Sequence, residues 1–148
     1  MDEKCKLFDP KVTIDIRKHQ KELLKKNPDT EFRAVASMEV IKNHLMKARI
    51  RNARFTIFSD EPSEFGGEDI APSMFEYFVT GTMLCECAQY IWNAADLGLI
   101  DSIYKLEMSI EGPILLTPWA RLADDESPGL HDVKVTVRIE SDASAEEI

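Results

Sequence analysis

The sequence has 148 residues, of which 44% are hydrophobic, 30% are charged, 6 are glycine and 7 are proline. This length allows one hydrophobic core of ordinary size, and the composition excludes collagen-like, low-complexity and largely disordered proteins. The net charge of −9 is uneven, because residues 1–55 hold 14 Lys/Arg and 8 Asp/Glu whereas residues 56–148 hold 4 and 19. The basic residues alternate with acidic ones and lack interleaved stacking aromatics, so we expect no nucleic-acid partner. We expect the basic third to fold against the acidic remainder of its own chain or of a partner subunit.

The three cysteines, Cys5, Cys85 and Cys87, form no spaced disulfide framework. The charged opening residues lack the apolar run of a signal peptide, and we therefore expect a reducing, cytoplasmic location. Polar residues interrupt the longest apolar stretch, at 74–97, so we expect no membrane span.

The first elements are predicted from hydrophobic spacing. Alternating aliphatic residues at 12–16 indicate a short strand, and residues 17–26 indicate a polar helix that ends at Asn27-Pro28. Residues 33–58 are predicted to form two strands, joined as a hairpin around Lys42 to His44.

A long helix is predicted in the middle of the chain, after a solvated acidic loop at 59–69. Ser73 can cap the helix while Glu76, three residues on, reaches back to the cap amide. Gly98 stands where a left-handed terminating residue is favoured. A helix over residues 74–97 would span about 36 Å. Since it is apolar on several faces, we expect it in the middle of the protein.

Two half-buried strands are predicted after this helix, at 104–110 and 133–139, where apolar and polar residues alternate. The proline-containing connector at 112–130 is predicted to be a long loop. The tail at 141–148 has the pattern of a first helical turn.

Cys85 is the most informative candidate for chemistry. A helical wheel places it on a face with two small residues, which would let another backbone approach the sulfur; that face comprises Phe78, Gly81, Thr82, Ala88, Gln89 and Trp92. The alternative is a small buried hydrophobe, as expected for Cys87. Residues two apart on a helix diverge, and the histidines complete no ligand motif, so neither a metal site nor a cofactor is expected.

Several motifs in register resemble the OsmC/Ohr family, which comprises osmotically inducible protein C and organic hydroperoxide resistance protein. The resemblance covers residues 48–148. It is carried by the segments 59–62, 66–69, 71–73 and 76–77, a cysteine nine residues after Glu76, and the segments 94–99, 111–112, 127–129 and 141–144.

The resemblance implies an α+β fold, in which an antiparallel sheet wraps a long central helix in an intertwined homodimer. It implies one OsmC-like domain over 1–148, with residues 1–45 as a divergent extension and without the family's last helix and strand. It also implies an antioxidant thiol peroxidase that reduces organic hydroperoxides with an external thiol. Cys85 falls on the peroxidatic position, and Arg51 or Arg54 is expected beside it. Glu76 lies one position from the family's arginine-holding carboxylate.

The residue chemistry agrees with this role, because a cysteine in the middle of a helix receives no help from the helix dipole and needs a cation. One arginine at about 4 Å supplies about 4 kcal/mol at an effective dielectric near 20, enough to lower a thiol pKa of about 8.5 by roughly three units before desolvation. Arg51 and Arg54 can equally be solvated strand residues. The alternative function is a redox-inactive OsmC-like domain that binds a small apolar ligand or a partner chain.

Overall fold

The computed structural model describes residues 7–122 and 129–148. Their helices and strands are, in chain order, α1 (Pro10–Lys26), β1 (Ala36–Lys42), β2 (Leu45–Ile50), β3 (Phe55–Ser59), α2 (Met74–Leu97), β4 (Ile103–Glu111), α3 (Leu116–Trp119) and β5 (Lys134–Ser141). The chain divides into two compact units. The β4–β5 unit is drawn from Met1–Gln20 and Met83–Ile148, and the β1–β3 unit is Lys21–Thr82. No helix in the described part of the chain is long and apolar enough to cross a membrane.

The opening segment is one helix, so the predicted short strand at 12–16 is wrong. Asp9 caps the helix by accepting the Val12 amide at 3.2 Å, and Pro10 occupies the first helical position, where its missing N–H costs nothing. The half-buried positions of this helix recur at helical spacing, at Thr13, Ile14, Arg17 and Gln20. Because three of these residues are polar, the hydrophobic pattern of the sequence does not show the helical period. The predicted end of the helix at Asn27-Pro28 is confirmed.

The β1–β3 unit contains a three-stranded antiparallel sheet in the order β1-β2-β3, whereas the sequence predicted two strands. The hairpin around Lys42 to His44 is confirmed, with Asn43 in a left-handed conformation (φ 51°). The second turn, at 51–54, contains no glycine or proline, and Asn52 is its only usual turn residue.

Register aligns the apolar residues of this sheet on one face. Met38 pairs with Ala48, which pairs in turn with Ile57. The opposite face carries charge, and there Glu39 forms an ion pair with Lys47 at 2.6 Å. Every residue of β1 is exposed within the single chain.

α2 has the predicted bounds, Met74–Leu97. Ser73 and Glu76 form the predicted capping box. At the other end Gly98 (φ 76°) donates to the Ala95 carbonyl at 3.3 Å and Leu99 donates to the Ala94 carbonyl at 2.8 Å. These two bonds make a Schellman motif, which ends the helix.

α2 was expected to be buried in the middle of the protein, but within one chain most of its residues are not buried. Ala94 and Ala95 are its buried residues, and with Ile100 and Ile103 they form the hydrophobic core of the β4–β5 unit. Other large apolar side chains of α2 are exposed, including Phe78 at 63%.

β4 and β5 pair antiparallel, as their alternation predicts. The predicted long loop between them holds the one-turn helix α3 and a bridge between Ile114 and Leu130, while its part at 123–128 lies outside the described residues. The tail forms the predicted single turn. Glu147 accepts hydrogen bonds from the Ser144 amide and hydroxyl, both at 2.9 Å, and so repeats the capping box of α2.

Candidate functional site

Cys85 lies near the middle of α2 and is exposed, whereas Cys87 is half-buried. Residues two apart on an α-helix point about 200° apart, so the two thiols diverge. Cys5 lies outside the described residues. α2 therefore presents one thiol to solvent from the middle of a regular helix.

The surface around Cys85 is apolar and open. Phe78, two turns earlier on the same face, is 63% exposed, and the adjacent Leu84 is 62% exposed. A Cβ added at Gly81 would meet no described atom within 4 Å. Within the described part of its own unit, Cys85 has no hydrogen-bond or ion-pair partner. Gly81 therefore leaves open space on this face of α2.

The β4–β5 unit places one cation along the Cys85 face, and sequence reasoning missed it. The Arg17 guanidinium lies 5.5 Å from the ring centroid of Trp92, two turns, or about 10 Å, beyond Cys85 on the helix. Arg17 also donates to both carboxylate oxygens of Asp96, from Nη2 to Oδ2 at 3.0 Å and from Nε to Oδ1 at 3.3 Å. Because that carboxylate offsets its charge, Arg17 is a weak source of thiolate stabilisation. Trp92 was named on this face from the sequence, but its contact with α1 needed the correct reading of α1 as a helix.

The candidate arginines, Arg51 and Arg54, flank the turn between β2 and β3. Their guanidinium carbons lie 5.3 and 5.5 Å from the centroid of the Phe55 ring. Arg51, Asn52 and Ala53 all have positive φ angles, of 53°, 55° and 65°. Left-handed conformations cost on the order of 1 kcal/mol for each residue other than glycine. This turn therefore holds two exposed cations on a conformationally strained support, which is common at functional sites.

Glu76 is committed to the start of α2. One of its carboxylate oxygens accepts the Ser73 amide at 2.7 Å and the Ser73 hydroxyl at 2.9 Å. These two hydrogen bonds lower the pKa of Glu76 below its ordinary 4.5, and the bond from the Ser73 amide has the larger effect. Among the described residues of the β1–β3 unit, neither Arg51 nor Arg54 forms an ion pair with Glu76. The structure thus gives Glu76 a helix-capping contact and does not join it to the arginines within this unit.

The acidic loop before α2 was predicted to be solvated, and this is wrong for Asp60, which is 1% exposed. Its carboxylate accepts the amides of Glu61 (3.0 Å), Glu68 (2.9 Å) and Ile70 (3.4 Å). Desolvation raises the pKa of Asp60, but these amides and the nearby His44 outweigh it, and the net shift is downward. Asp60 therefore orders the loop that delivers the chain to the α2 cap.

Close packing in the same loop explains why residue 67 is a glycine. A Cβ there would lie 1.7 Å from the Glu61 carbonyl oxygen, so only glycine fits. The sequence signal for this ordered loop was the combination of the pair Gly66-Gly67 with Asp60 two positions before Pro62, rather than acidity alone. Within the described part of the chain, no group of three or more His, Cys, Asp or Glu residues could hold a metal ion.

Comparison with known proteins gives structural matches only. No family model matches the sequence, and no curated protein matches it. A Psychrobacter arcticus structure, described as an osmotic stress induced and detoxification response protein, has a TM-score of 0.57 at 13% identity, covering 80% of this chain and 79% of that chain. A Legionella pneumophila structure, described as the organic hydroperoxide resistance protein OsmC, has a TM-score of 0.49 at 14% identity, covering 78% and 75%. The match to the Psychrobacter arcticus structure shows the fold of this chain, an OsmC-like α+β fold of antiparallel sheets and a long helix.

Proposed function

We propose that this protein is a cytoplasmic, homodimeric thiol peroxidase that reduces organic hydroperoxides through Cys85. The observation that carries the proposal is the position of Cys85, exposed in the middle of the long helix of an OsmC-like fold and surrounded by exposed apolar side chains. An apolar surrounding suits the organic part of a hydroperoxide, and a single accessible thiol suits a one-cysteine enzyme.

The reaction has three balanced steps. The Cys85 thiolate attacks the terminal oxygen of the hydroperoxide; the O–O bond breaks, and the alkoxide takes a proton to leave as an alcohol. Cys85 is now a sulfenic acid. An external thiol condenses with it, releases water and leaves a mixed disulfide. A second external thiol then attacks the external sulfur of that disulfide, which releases the disulfide of the two external thiols and restores the Cys85 thiol. One of the arginines of the 51–54 turn stabilises the thiolate and holds the peroxide oxygens through its planar fork.

The homodimer is supported by apolar surface that one chain leaves exposed. Phe78 and Leu84 on α2 are 63% and 62% exposed, and Met38 and Val40 on the sheet are 61% and 60% exposed. Large exposed apolar patches mark association sites in soluble proteins. Burying these residues in a twofold dimer would remove them from water.

Paired cysteine variants test the peroxidase proposal. Cys85→Ser should abolish thiol-dependent consumption of cumene hydroperoxide, because serine is no nucleophile under these conditions. Cys87→Ser is the matched control, since it removes a thiol of the same helix that points the other way, and it should keep the wild-type rate. Equal loss in both variants, or in neither, would refute the assignment to Cys85.

The second candidate is a redox-inactive OsmC-like domain that binds a small apolar ligand or a partner chain. It is favoured by the contacts of the candidate residues, since Glu76 caps α2 and the two arginines lie over Phe55. Alkylation separates the two functions. A Cys85 that reacts with iodoacetamide only above pH 8, as an ordinary thiol does, supports the binding domain. Rapid alkylation at pH 6 supports the enzyme.

A further inference from the structure

We infer that the β4–β5 unit contains a binding site for a compact, uncharged, largely apolar molecule that carries one hydroxyl group, and that this site is separate from Cys85. The site is a cavity of about 330 Å³ beneath the carboxy-terminal turns of α2. Cys85 does not line it. All of the lining residues belong to the β4–β5 unit.

The walls of the cavity are formed by the hydrophobic core and are therefore already in place. Ala94 and Ile103, which are 8% and 6% exposed, line the cavity and belong to the core. Ile91, Leu106 and Ile139 line it as well and pack against that core. Small-molecule sites are typically such preformed, mostly apolar cavities of about 300–1,000 Å³.

The volume limits the size of the ligand. A dry apolar cavity of about 150 Å³ holds a benzene molecule. The present cavity, of about 330 Å³, is twice that size and matches two fused aromatic rings or a short branched aliphatic chain. It is too small to bury a long acyl chain completely.

The polar groups of the lining indicate one neutral hydrogen-bonding group on the ligand. Asn93 and Tyr90 are among the lining residues, and the side chain of each can both donate and accept a hydrogen bond. The charged lining residue is Asp96, whose carboxylate is held by Arg17 at 3.0 Å. A carboxylate at the rim of a protein with net charge −9 disfavours an anionic ligand. A hydroxyl group satisfies the amide without bringing charge.

The probe is 2-naphthol, titrated into the full chain and followed by ¹H–¹⁵N NMR. We expect saturable binding with a Kd on the order of 100 µM, with shifts concentrated at residues 90–99 and at Leu106 and Ile139. 2-Naphthoate, with the same rings and a negative charge, should bind at least tenfold more weakly. Failure to saturate by 1 mM, or equal binding of the naphthoate, would overturn the inference.

Two amide side chains on exposed positions of α2 provide matched variants. Asn93→Ala removes the hydrogen-bonding group that lines the cavity and should weaken 2-naphthol binding about fivefold. Gln89→Ala, one turn earlier and outside the lining, should leave the affinity unchanged. Equal affinities in the two variants would refute the role of Asn93.

Cys85→Ser separates this site from the proposed peroxidase site. The variant should bind 2-naphthol with wild-type affinity, whatever its activity towards hydroperoxides. Loss of binding in this variant, or ligand-induced shifts centred on residues 78–85, would place the probe at Cys85 and overturn the inference. An inactive peroxidase with normal 2-naphthol binding would remove the proposed function and leave the cavity site standing.

Discussion

Replacing Ser73 by alanine tests how much the start of α2 depends on its capping box. The Ser73 hydroxyl donates to Glu76 at 2.9 Å and accepts the Glu76 amide at 3.3 Å, while the Ser73 amide donates to Glu76 at 2.7 Å. Alanine keeps only the last of these three bonds. The side chain is 7% exposed, so water replaces the lost bonds poorly. We expect Ser73→Ala to lower the free energy of unfolding by about 1 kcal/mol, and Tm by about 3 °C.

Glu76→Gln separates the charge from the hydrogen bonds, because glutamine still offers an acceptor oxygen. The pKa of Glu76 is lowered in the folded protein by the Ser73 bonds. The charge therefore stabilises the fold fully above the ordinary pKa of 4.5, and this contribution is lost as the pH falls through the lowered value. The Tm difference between wild type and Glu76→Gln should be largest near pH 7 and should shrink below pH 4.5.

Glu86→Gln is the control, since it removes a carboxylate from an exposed position in the middle of the same helix. Thermal unfolding followed by circular dichroism measures all three variants. A Ser73→Ala shift no larger than that of Glu86→Gln, or a Glu76→Gln shift that does not change with pH, would refute the capping argument. The same proteins test catalysis: if Glu76 also holds an arginine for Cys85, Glu76→Gln should lower hydroperoxide turnover far more than Ser73→Ala does.

Two further predictions concern the chemistry of Cys85. Arg51→Ala or Arg54→Ala should move the alkylation profile of Cys85 to higher pH and slow peroxide reduction, measured with iodoacetamide at a series of pH values; if neither variant moves the profile, the activating cation lies elsewhere. Peroxide treatment without added thiol should give a dimedone-trapped sulfenic acid at Cys85 that proceeds to sulfinic acid, with little disulfide to Cys87, because the two side chains diverge on the helix. Peptide mass spectrometry that finds mainly a Cys85–Cys87 disulfide in folded protein would contradict the one-cysteine mechanism.

The sequence predicted best what local chemistry determines. Both ends of α2 follow from side chains within a few residues of the cap or the terminating glycine, and β4 and β5 follow from strict alternation. The start of α1 carried its own signal in Asp9-Pro10, but the aliphatic alternation at 12–16 masked it. The turn at 51–54 was missed because two of its three left-handed residues are arginine and alanine, which seldom take that conformation.

In the candidate site, too, the features set by local sequence were predictable and those set by tertiary packing were not. The helix face on which Cys85 lies was predictable, because it depends on one helix and its period. Its exposure was not, because the helix was expected in the middle of the protein. The partners of Arg17, Glu76 and the arginines of the 51–54 turn were only partly predictable. Capping by Glu76 follows from a spacing of three residues, whereas the contact of Arg17 with Trp92 joins residues 75 positions apart and depends on tertiary packing.

The proposed dimer connects the exposed face of α2 to the activation of its thiol. Cys85 is 11 residues from Met74 and 12 from Leu97. It is therefore about 16 Å from the start of α2, too far for the helix dipole to act. Arg17 is offset by Asp96, so among the described residues we expect the cation for the thiolate to come from association or from the 51–54 turn. Sedimentation should therefore show a species of twice 16.8 kDa at micromolar concentration, and dilution below its dissociation constant should slow Cys85 alkylation at pH 6. A stable monomer whose alkylation rate does not change on dilution would show that one chain activates its own thiol.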